Sequence, residues 1–218
     1  ILAVPGILFV LQPDTGTLGI ICAAVFAIFF AAGARYRDIG LVILGGLLLL
    51  SILAFMRPYV LARVQTLFNP SEDPHTSGYQ IRQSFIAIGS GGIVGRGFGQ
   101  SVQKFSYLPE PIGDSIFAVA AEEFGFVGGV VLVALFLGLA LRSFSIASRA
   151  SDLFGGLLAV GIGSYLAGEA FINIAAMIGI IPLTGVPLTF ISHGGSAMLV
   201  AMASAGILLN ISRNSARS

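Results

Sequence analysis

The sequence predicts an all-α, polytopic membrane helical bundle with one large extracytoplasmic loop. Of its 218 residues, 56% are hydrophobic and only 10% are charged, and the mean hydropathy is +0.97. A soluble globular domain has roughly 25% charged residues, so this chain lacks the charge to cover a water-facing surface. Its apolar runs are uniformly hydrophobic and about twenty residues long, which is typical of membrane-spanning helices rather than of barrel strands.

Five runs have the length of roughly 20 residues that a helix needs to cross a bilayer. They are residues 17–34, 39–56, 115–141, 153–180 and 190–211. Residues 1–11 are too short to cross and are interpreted as the outer half of a sixth helix, so the start at Ile1 is typical of a truncated chain. We therefore predict one membrane domain over residues 1–218, with five full spans and a partial one.

The composition excludes several other classes of protein. The net charge is +1, and the 11 basic residues are too few and too dispersed for a nucleic-acid partner. Cys22 is the one cysteine and lies inside an apolar run, so we expect neither a disulfide framework nor a thiolate metal site. His75 and His193 lie far apart in the sequence without a third ligand, and no metal ligand set is predicted from them.

Arginines orient the predicted spans. When the spans alternate, one side of the membrane receives Arg35, Arg37, Arg142, Arg149, Arg213 and Arg217. The positive-inside bias makes this side cytoplasmic, and residues 57–114 then form the large extracytoplasmic loop. This loop also contains basic residues, which long loops tolerate.

The loop 57–114 is predicted to contain short helices. One covers 57–68, and an amphipathic helix over 79–88 places Ile81, Phe85 and Ile88 on one face. The glycine-rich stretch 89–99 has no preceding strand and no Gly-Lys-Ser/Thr, so a nucleotide site is excluded. It is interpreted as flexible backbone that lets Arg96 and Lys104 approach an anionic group, or alternatively lipid headgroups.

Asp114 is the most informative residue of the loop. It follows Pro109-Glu-Pro111 and Gly113 and precedes an apolar helix, so it stands at a helix start near the membrane boundary. Aspartate there is among the best capping residues, and a carboxylate in this place can also act as a base. Both interpretations stay open on the residues alone.

Other acidic residues lie at or within the predicted spans. Glu122, Glu123 and Glu169 are expected to face a cavity or a polar partner, such as a loop cation or Asn173, because charge in lipid is costly. Asp14, before Gly16 and Thr17, is predicted to cap a helix.

Short motifs along the chain match one family in the same order. They are Gln12-Pro-Asp-Thr-Gly16, Asn69-Pro70, Asp73-Pro74, Gly78-Tyr-Gln80, Gln83-Ser84, Ala87-Ile88, Gly95-x-Gly97-x-Gly99, Ser101-Val-Gln-Lys104, Tyr107-Leu-Pro-Glu110, Asp114, Ile116-Phe-Ala118, Glu122-Glu-x-Gly125, Asn173, Gly179, Pro182, Thr184-Gly-Val-Pro187 and Ser192-x-Gly-Gly-Ser196. On them the chain is identified as a member of the SEDS family of bacterial shape and division proteins (FtsW, RodA and SpoVE), and it resembles the FtsW branch most.

The resemblance implies a ten-span fold, of which this chain holds the part from the late fifth helix onward. It implies a peptidoglycan glycosyltransferase that polymerises lipid II during cell division. In the implied reaction Asp114 takes the proton of the acceptor GlcNAc 4-hydroxyl, the oxygen attacks C1 of the donor MurNAc, and undecaprenyl pyrophosphate leaves. Implied substrate-binding residues are the cations Arg63, Arg82, Arg96 and Lys104, together with Glu110, Ser192, Gly194, Gly195 and Ser196.

The resemblance also implies partners and a location. We expect lipid II as substrate, a class B penicillin-binding protein as partner transpeptidase, other division-complex proteins and membrane lipid. The place is the bacterial cytoplasmic membrane, at the division septum. No cofactor is firmly expected, although a divalent cation, Mg²⁺ or Mn²⁺, is compatible with the chemistry.

The chain departs from the family pattern at three places. Ile112-Gly113-Asp114-Ser115 stands where His-Thr-Asp-Phe is usual, His193 replaces a common Tyr, and Glu169 stands at a position that is commonly neutral.

Two other functions compete with polymerisation. One is a lipid II flippase that uses Glu122, Glu123 and Glu169, and the other is a non-catalytic scaffold that activates a division transpeptidase.

Overall fold

The computed structural model describes residues 14–56, 58–68 and 77–214, and all regular secondary structure in these ranges is helical. In chain order the helices are α1 (Thr15–Ala31), α2 (Tyr36–Met56), α3 (Pro58–Phe68), α4 (Ser77–Gly91), α5 (Gln103–Ser106), α6 (Ile116–Ser148), α7 (Leu153–Met177) and α8 (Gly195–Arg213). The predicted all-α class is confirmed. The short loop helices predicted over 57–68 and 79–88 correspond to α3 and α4.

Three of the helices in the described ranges, α6, α7 and α8, are long and apolar enough to cross a membrane. One of the five predicted full spans, residues 17–34, corresponds to α1 and is not a full span. This helix begins after its cap Asp14 and ends at Ala31. Its 17 residues rise about 25 Å at 1.5 Å per residue, short of the roughly 30 Å hydrocarbon core. The hydropathy window had included residues 32–34, which lie beyond the helix end. A span over 39–56, within α2, stays a prediction, and residues 1–11 lie outside the described ranges.

Helix α7 lies at the centre of the bundle. It packs mainly against α1 and α6, and its Ala170, Ile174 and Met177 are buried in the largest apolar cluster. Where α6 and α7 cross, a Cβ on Gly163 would overlap the side chain of Ser143, so glycine sets the approach distance. Helix α8 has few buried residues and lies at the edge of this arrangement.

Helix α6 is broken at Gly125, where the backbone has φ +68° and ψ −166°. The turn after α4 fills the break: the Phe126 amide donates to the Gly92 carbonyl (2.8 Å), and the Arg96 amide donates to the Glu122 carbonyl (3.0 Å). A discontinuous helix is tolerated in a membrane protein when other protein backbone satisfies its freed groups. Gly125 and Gly129 have GxxxG spacing but do not share one continuous helix, because the break falls at Gly125.

Helix α4 buries a stripe of mostly small residues, which includes Ile81 of the predicted face, and Ile88 of that face is half-buried against the core. Its buried positions are Gly78, Ile81, Ser84, Ala87 and Gly91, whereas the side chain of Phe85 is 45% exposed. A Cβ on Gly91 would overlap the Ala121 carbonyl oxygen, so this stripe lets α4 approach the first half of α6 closely. The helix also extends to Gly91, which shortens the flexible glycine stretch predicted over 89–99.

Candidate active site

Asp114 lies between α5 and α6, one residue before the helix cap. The N-cap of α6 is Ser115, and its side chain makes no capping hydrogen bond. The Asp114 carboxylate accepts instead from Gln80 Nε2 (Oδ1, 3.2 Å) and from the Ser115 hydroxyl (Oδ1, 3.4 Å). The interpretation of Asp114 as a helix cap is therefore wrong, and its carboxylate is held from the side by α4.

Gln80 is the residue that the sequence reasoning did not select for the site. Its Nε2 also donates to the Ser115 hydroxyl (2.9 Å), so one amide orients two neighbouring groups. Gln80 belonged to a quoted family motif, but it precedes Asp114 by a helix, a turn and a short helix. The feature that could have identified Gln80 is its side-chain amide, a neutral hydrogen-bond donor on the turn of α4 that faces the start of α6.

The half-buried position of Asp114 changes its acidity. Burial raises the pKa of Asp114 above its ordinary value, and the hydrogen bonds from Gln80 and Ser115 only partly oppose this effect. The negative charge of nearby Glu110 raises the pKa a little further. A carboxylate with a raised pKa is a stronger base once it is ionised.

A frame of backbone hydrogen bonds fixes the chain on both sides of the carboxylate. Asn173 Nδ2, from α7, donates to the Asp114 carbonyl (2.6 Å) and to the Val186 carbonyl (2.7 Å). The Ser192 hydroxyl donates to the Gly113 carbonyl (2.6 Å) and accepts from the Leu188 amide (2.7 Å). Residues 183–192, between α7 and α8, are thereby joined to the start of α6.

The same loop brings further groups to the site. Arg63, from α3, donates to the Leu183 carbonyl (2.9 Å), and a Cβ on Gly185 would lie 4.0 Å from Asp114 Oδ2. The side-chain Oδ1 of Asn173 and the hydroxyl of Thr184 are buried without a hydrogen-bond partner in the described ranges. Buried polar atoms of this kind usually receive a donor or acceptor from water or a ligand.

The other predicted binding residues are distributed around this frame. Gly194 is the N-cap of α8, Gly195 and Ser196 are exposed in its first turn, and the His193 amide donates to the Ile112 carbonyl (2.8 Å). Glu110 is exposed and has φ +46°, an uncommon backbone conformation for a residue with a side chain. Arg82 lies half-buried on α4.

Arg96 and Lys104 lie together with Glu122 and Glu123. Arg96 Nε is 3.6 Å from Glu122 Oε1, and Lys104 Nζ is 2.6 Å from Glu123 Oε1. Both acids lie in the half-helix of α6, about two turns beyond Asp114. The structure thus places these two cations beside the acids near the break and places Arg63 beside the loop at Asp114.

Glu122 fastens the loop that precedes α5. Its fully buried carboxylate accepts from the Ser101 hydroxyl (2.6 Å) and from the amides of Val102 (3.1 Å) and Gln103 (3.3 Å). Each hydrogen bond to a charged group contributes about 1.5–3 kcal/mol, so this acid is a strong anchor for residues 101–103. The predicted need for polar partners is met here by the loop itself.

Two further acids are engaged elsewhere. Asp14 accepts from the amide (2.9 Å) and hydroxyl (2.6 Å) of Thr17, which agrees with the predicted cap. Glu169, on α7, accepts from the Thr189 hydroxyl (2.7 Å). Among the described residues no three His, Cys, Asp or Glu side chains form a cluster that could hold a metal ion.

Nearly the whole chain matches a known protein family. The family model for FtsW, RodA and SpoVE, described as "Cell cycle protein", matches residues 1–217. The chain belongs to this family. The three apolar spanning helices and this membership make it an integral membrane protein.

Similar proteins include a sporulation protein and probable peptidoglycan glycosyltransferases. Stage V sporulation protein E of Bacillus subtilis (strain 168) is 45% identical over 94% of this chain and 56% of its own length. A probable peptidoglycan glycosyltransferase FtsW of Thioalkalivibrio sulfidiphilus (strain HL-EbGR7) is 41% identical over 97% of this chain and 54% of its own length. The chain thus spans a little over half the length of these relatives.

Two solved structures share the fold. One belongs to a study of the structural coordination of polymerization and crosslinking by a peptidoglycan synthase complex, with a TM-score of 0.74, 28% identity, and coverage of 97% of this chain and 59% of that chain. The other is a crystal structure of a mutant of the rod shape determining protein RodA from Thermus thermophilus. It has a TM-score of 0.62, 25% identity, and coverage of 98% of this chain and 54% of that chain.

Proposed function

We propose that this protein is a peptidoglycan glycosyltransferase that polymerises lipid II, with Asp114 as its general base. The observation that supports this most is the Asp114 carboxylate itself. It is half-buried, oriented by the neutral donors Gln80 and Ser115, and set beside a loop with unsatisfied buried polar atoms. By contrast, Glu122 already accepts a hydrogen bond from Ser101 of the loop, and Glu123 accepts one from Lys104. This favours an enzyme over a flippase that would use the two acids for transport.

The proposed reaction balances in one displacement. Asp114 accepts the proton of the GlcNAc 4-hydroxyl while that oxygen forms a bond to C1 of the donor MurNAc. The bond from C1 to the pyrophosphate oxygen breaks, and undecaprenyl pyrophosphate leaves with the electron pair. General-base catalysis by a positioned carboxylate contributes about 10²–10⁴-fold to such a step.

The leaving pyrophosphate needs positive charge. Arg63 is the predicted cation best placed for it, because its guanidinium is bonded to the same 183–192 loop that approaches Asp114. Arg82, Arg96 and Lys104 complete the proposed set, the last two from the cluster at the break. Gly194, Gly195 and Ser196 form the cap and the exposed start of α8, Glu110 lies just before Asp114 in the chain, and the Ser192 hydroxyl donates to the carbonyl of the adjacent Gly113. A divalent cation, if bound there, would supply further positive charge to the leaving pyrophosphate.

The relatives support a setting in a bacterial membrane. The proposed setting is the extracytoplasmic face of the bacterial cytoplasmic membrane at the division septum, with a class B penicillin-binding protein and other division proteins as partners. The similar structure of a peptidoglycan synthase complex supports a partnership with a transpeptidase.

Replacement of the base tests the proposal. Asp114→Asn in the full protein is expected to lower lipid II polymerisation by about 10²–10⁴-fold, measured as glycan product in liposomes. Asp38→Asn, in the first turn of α2, is the matched control and should keep the activity. Because the fold raises the pKa of Asp114, the ionised carboxylate disfavours folding at neutral pH, so Asp114→Asn should melt no lower than the parent. A well-folded Asp114→Asn that polymerises at the parent rate would rule out this base.

A further inference from the structure

The turn that fills the break in α6 exposes a group of large apolar side chains. Ile93 is 72% exposed, Val94 is 79% exposed and Phe98 is 81% exposed. They lie in the segment that the orientation places on the extracytoplasmic side, where water would be the solvent. An apolar surface of this kind usually marks a contact with another protein or with a membrane.

The charges of α6 give the height of this turn in the membrane. Residues 124–141 contain no charged side chain and lie between Glu123 and Arg142. The continuous helix beyond the break at Gly125, residues 126–141, rises about 24 Å, so the roughly 30 Å hydrocarbon core measured from Arg142 extends up to the break. One boundary of the hydrocarbon therefore lies at the level of Glu122 and Glu123.

Hydrogen bonds fix the turn at this boundary. The amides of Arg96 and Gly97 donate to the carbonyls of Glu122 and Glu123 (3.0 Å each), and the Val127 amide donates to the Ile93 carbonyl (3.1 Å). A Cβ on Gly95 would overlap the Glu123 carbonyl oxygen, so the backbones are in direct contact. The exposed apolar side chains are consequently level with the lipid and not raised above it.

The surroundings suit lipid more than water or a polar protein surface. The exposed side chains of Phe126, Val127 and Val130 continue the apolar surface along α6 below the turn. The cations of the segment are already paired, since Arg96 lies beside Glu122 and Lys104 beside Glu123. Insertion of the turn would thus bury no uncompensated charge in the hydrocarbon.

We propose that residues 92–98 form a membrane-inserted wedge whose apolar side chains enter the acyl-chain region of the adjacent leaflet. The predicted orientation makes this the outer leaflet. The half-helix Ile116–Phe124 links the wedge to Asp114 over about 13 Å, so the wedge holds the carboxylate at a fixed height above the lipid. This consequence rests on the proposed function, whereas the insertion itself does not.

Fluorescence quenching by the lipid tests the insertion. These 218 residues contain no Trp, and the emission of Phe98→Trp in the full protein, after subtraction of the parent's emission in nanodiscs, reports on position 98. With lipids brominated on their acyl chains, Trp at 98 should lose most of its emission, as should Leu135→Trp, which is exposed in the middle of α6. Ile112→Trp, beside Asp114, should keep its emission because it lies above the leaflet. Val94→Trp serves as a second probe of the wedge.

Two other results would overturn the proposed insertion of residues 92–98 into the leaflet. Unquenched emission at 98 and 94, with position 135 quenched, would show a turn that is in water or covered by protein. Equal quenching at positions 98 and 112 would show that the height derived from α6 is wrong. These outcomes depend on position only, so they are independent of whether the protein polymerises lipid II.

An activity measurement then separates the wedge from the proposed reaction. Val94→Asp combined with Phe98→Asp should reduce glycan synthesis in liposomes, because a charged wedge is expelled from the leaflet and the height of Asp114 is no longer fixed. Gln100→Asp, exposed just after the wedge, should not reduce it. Equal activity of all three proteins would remove the functional consequence, and loss of activity in Gln100→Asp would show a general effect of added charge.

Discussion

At the scale of single residues, the contact between Gln80 and Asp114 connects structure to chemistry most directly. The Gln80 amide stabilises the ionised carboxylate, while burial of the site favours its protonated form. The balance between these effects sets the pH at which the base becomes available. Gln80 therefore acts through Asp114, as a positioning residue.

Loss of the Gln80 donor should move the acid limb of the activity profile. In Gln80→Leu the pKa of Asp114 rises further, so the carboxylate stays protonated to higher pH and activity is lost earlier on acidification. A hydrogen bond to a charged group contributes about 1.5–3 kcal/mol, and one pKa unit equals about 1.4 kcal/mol, so a shift of about one to two pH units is expected. The rate of glycan synthesis as a function of pH measures it.

The control for this change lies one turn along the same helix. Gln83→Leu removes the same amide from a half-buried position of α4 and should leave the acid limb where it is in the parent. If Gln80→Leu lowers the plateau rate without moving the limb, Gln80 positions the carboxylate but does not tune its acidity.

The residue scale also shows how far sequence reasoning reached. Asp114 was found because an acid after a Pro-Glu-Pro turn and before an apolar helix is visible in the local sequence. Gln80 was missed because its role depends on α4 crossing the start of α6, a tertiary contact that no local pattern encodes. Arg96 and Lys104 were recognised as loop cations, but their pairing with Glu122 and Glu123 depends on the same packing.

At the scale of elements, the break in α6 has the largest effect on the site. It ends a short half-helix that starts beside Asp114, and it provides the carbonyls and amides to which the turn 92–97 is bonded. Hydropathy predicted one continuous helix here, because glycine and the flanking phenylalanines leave the apolar run intact. Only the turn, supplied by a distant part of the chain, makes the break stable.

A glycine pair in α6 tests the importance of this break. In Gly125→Ala the new Cβ would overlap the Gly95 amide nitrogen, and a backbone conformation that essentially only glycine adopts adds strain of about 1–3 kcal/mol, so the melting temperature should fall clearly. In Gly138→Ala the Cβ would meet nothing within 4 Å, and the better helix former should stabilise the protein by about 0.5–1 kcal/mol. Thermal unfolding in detergent compares the two variants, and equal melting temperatures would contradict the rigid break.

At the scale of the whole molecule, three groups of elements meet at one place. Helix α4 brings Gln80, α7 brings Asn173, and the loop before α8 brings Ser192, all to the residues around Asp114. The spanning helices α6 and α7 thereby hold a polar site at one end of an apolar bundle. The class of fold was predictable from composition and run length, whereas the helix lengths depend on caps and breaks that hydropathy does not record.

The orientation of the molecule decides whether this site faces the substrate. Arg35, beside Tyr36 at the turn between α1 and α2, and Arg149, at the end of α6, lie on one predicted side, and the Asp114 end of α6 lies on the other. In a background from which every cysteine, Cys22 included, has been replaced, Ile112→Cys should react in intact cells with a membrane-impermeant thiol reagent, since residue 112 is 57% exposed. Tyr36→Cys, at an 89% exposed position, should react only after the membrane is made permeable. The reverse pattern would place Asp114 in the cytoplasm and exclude polymerisation of lipid II outside the cell.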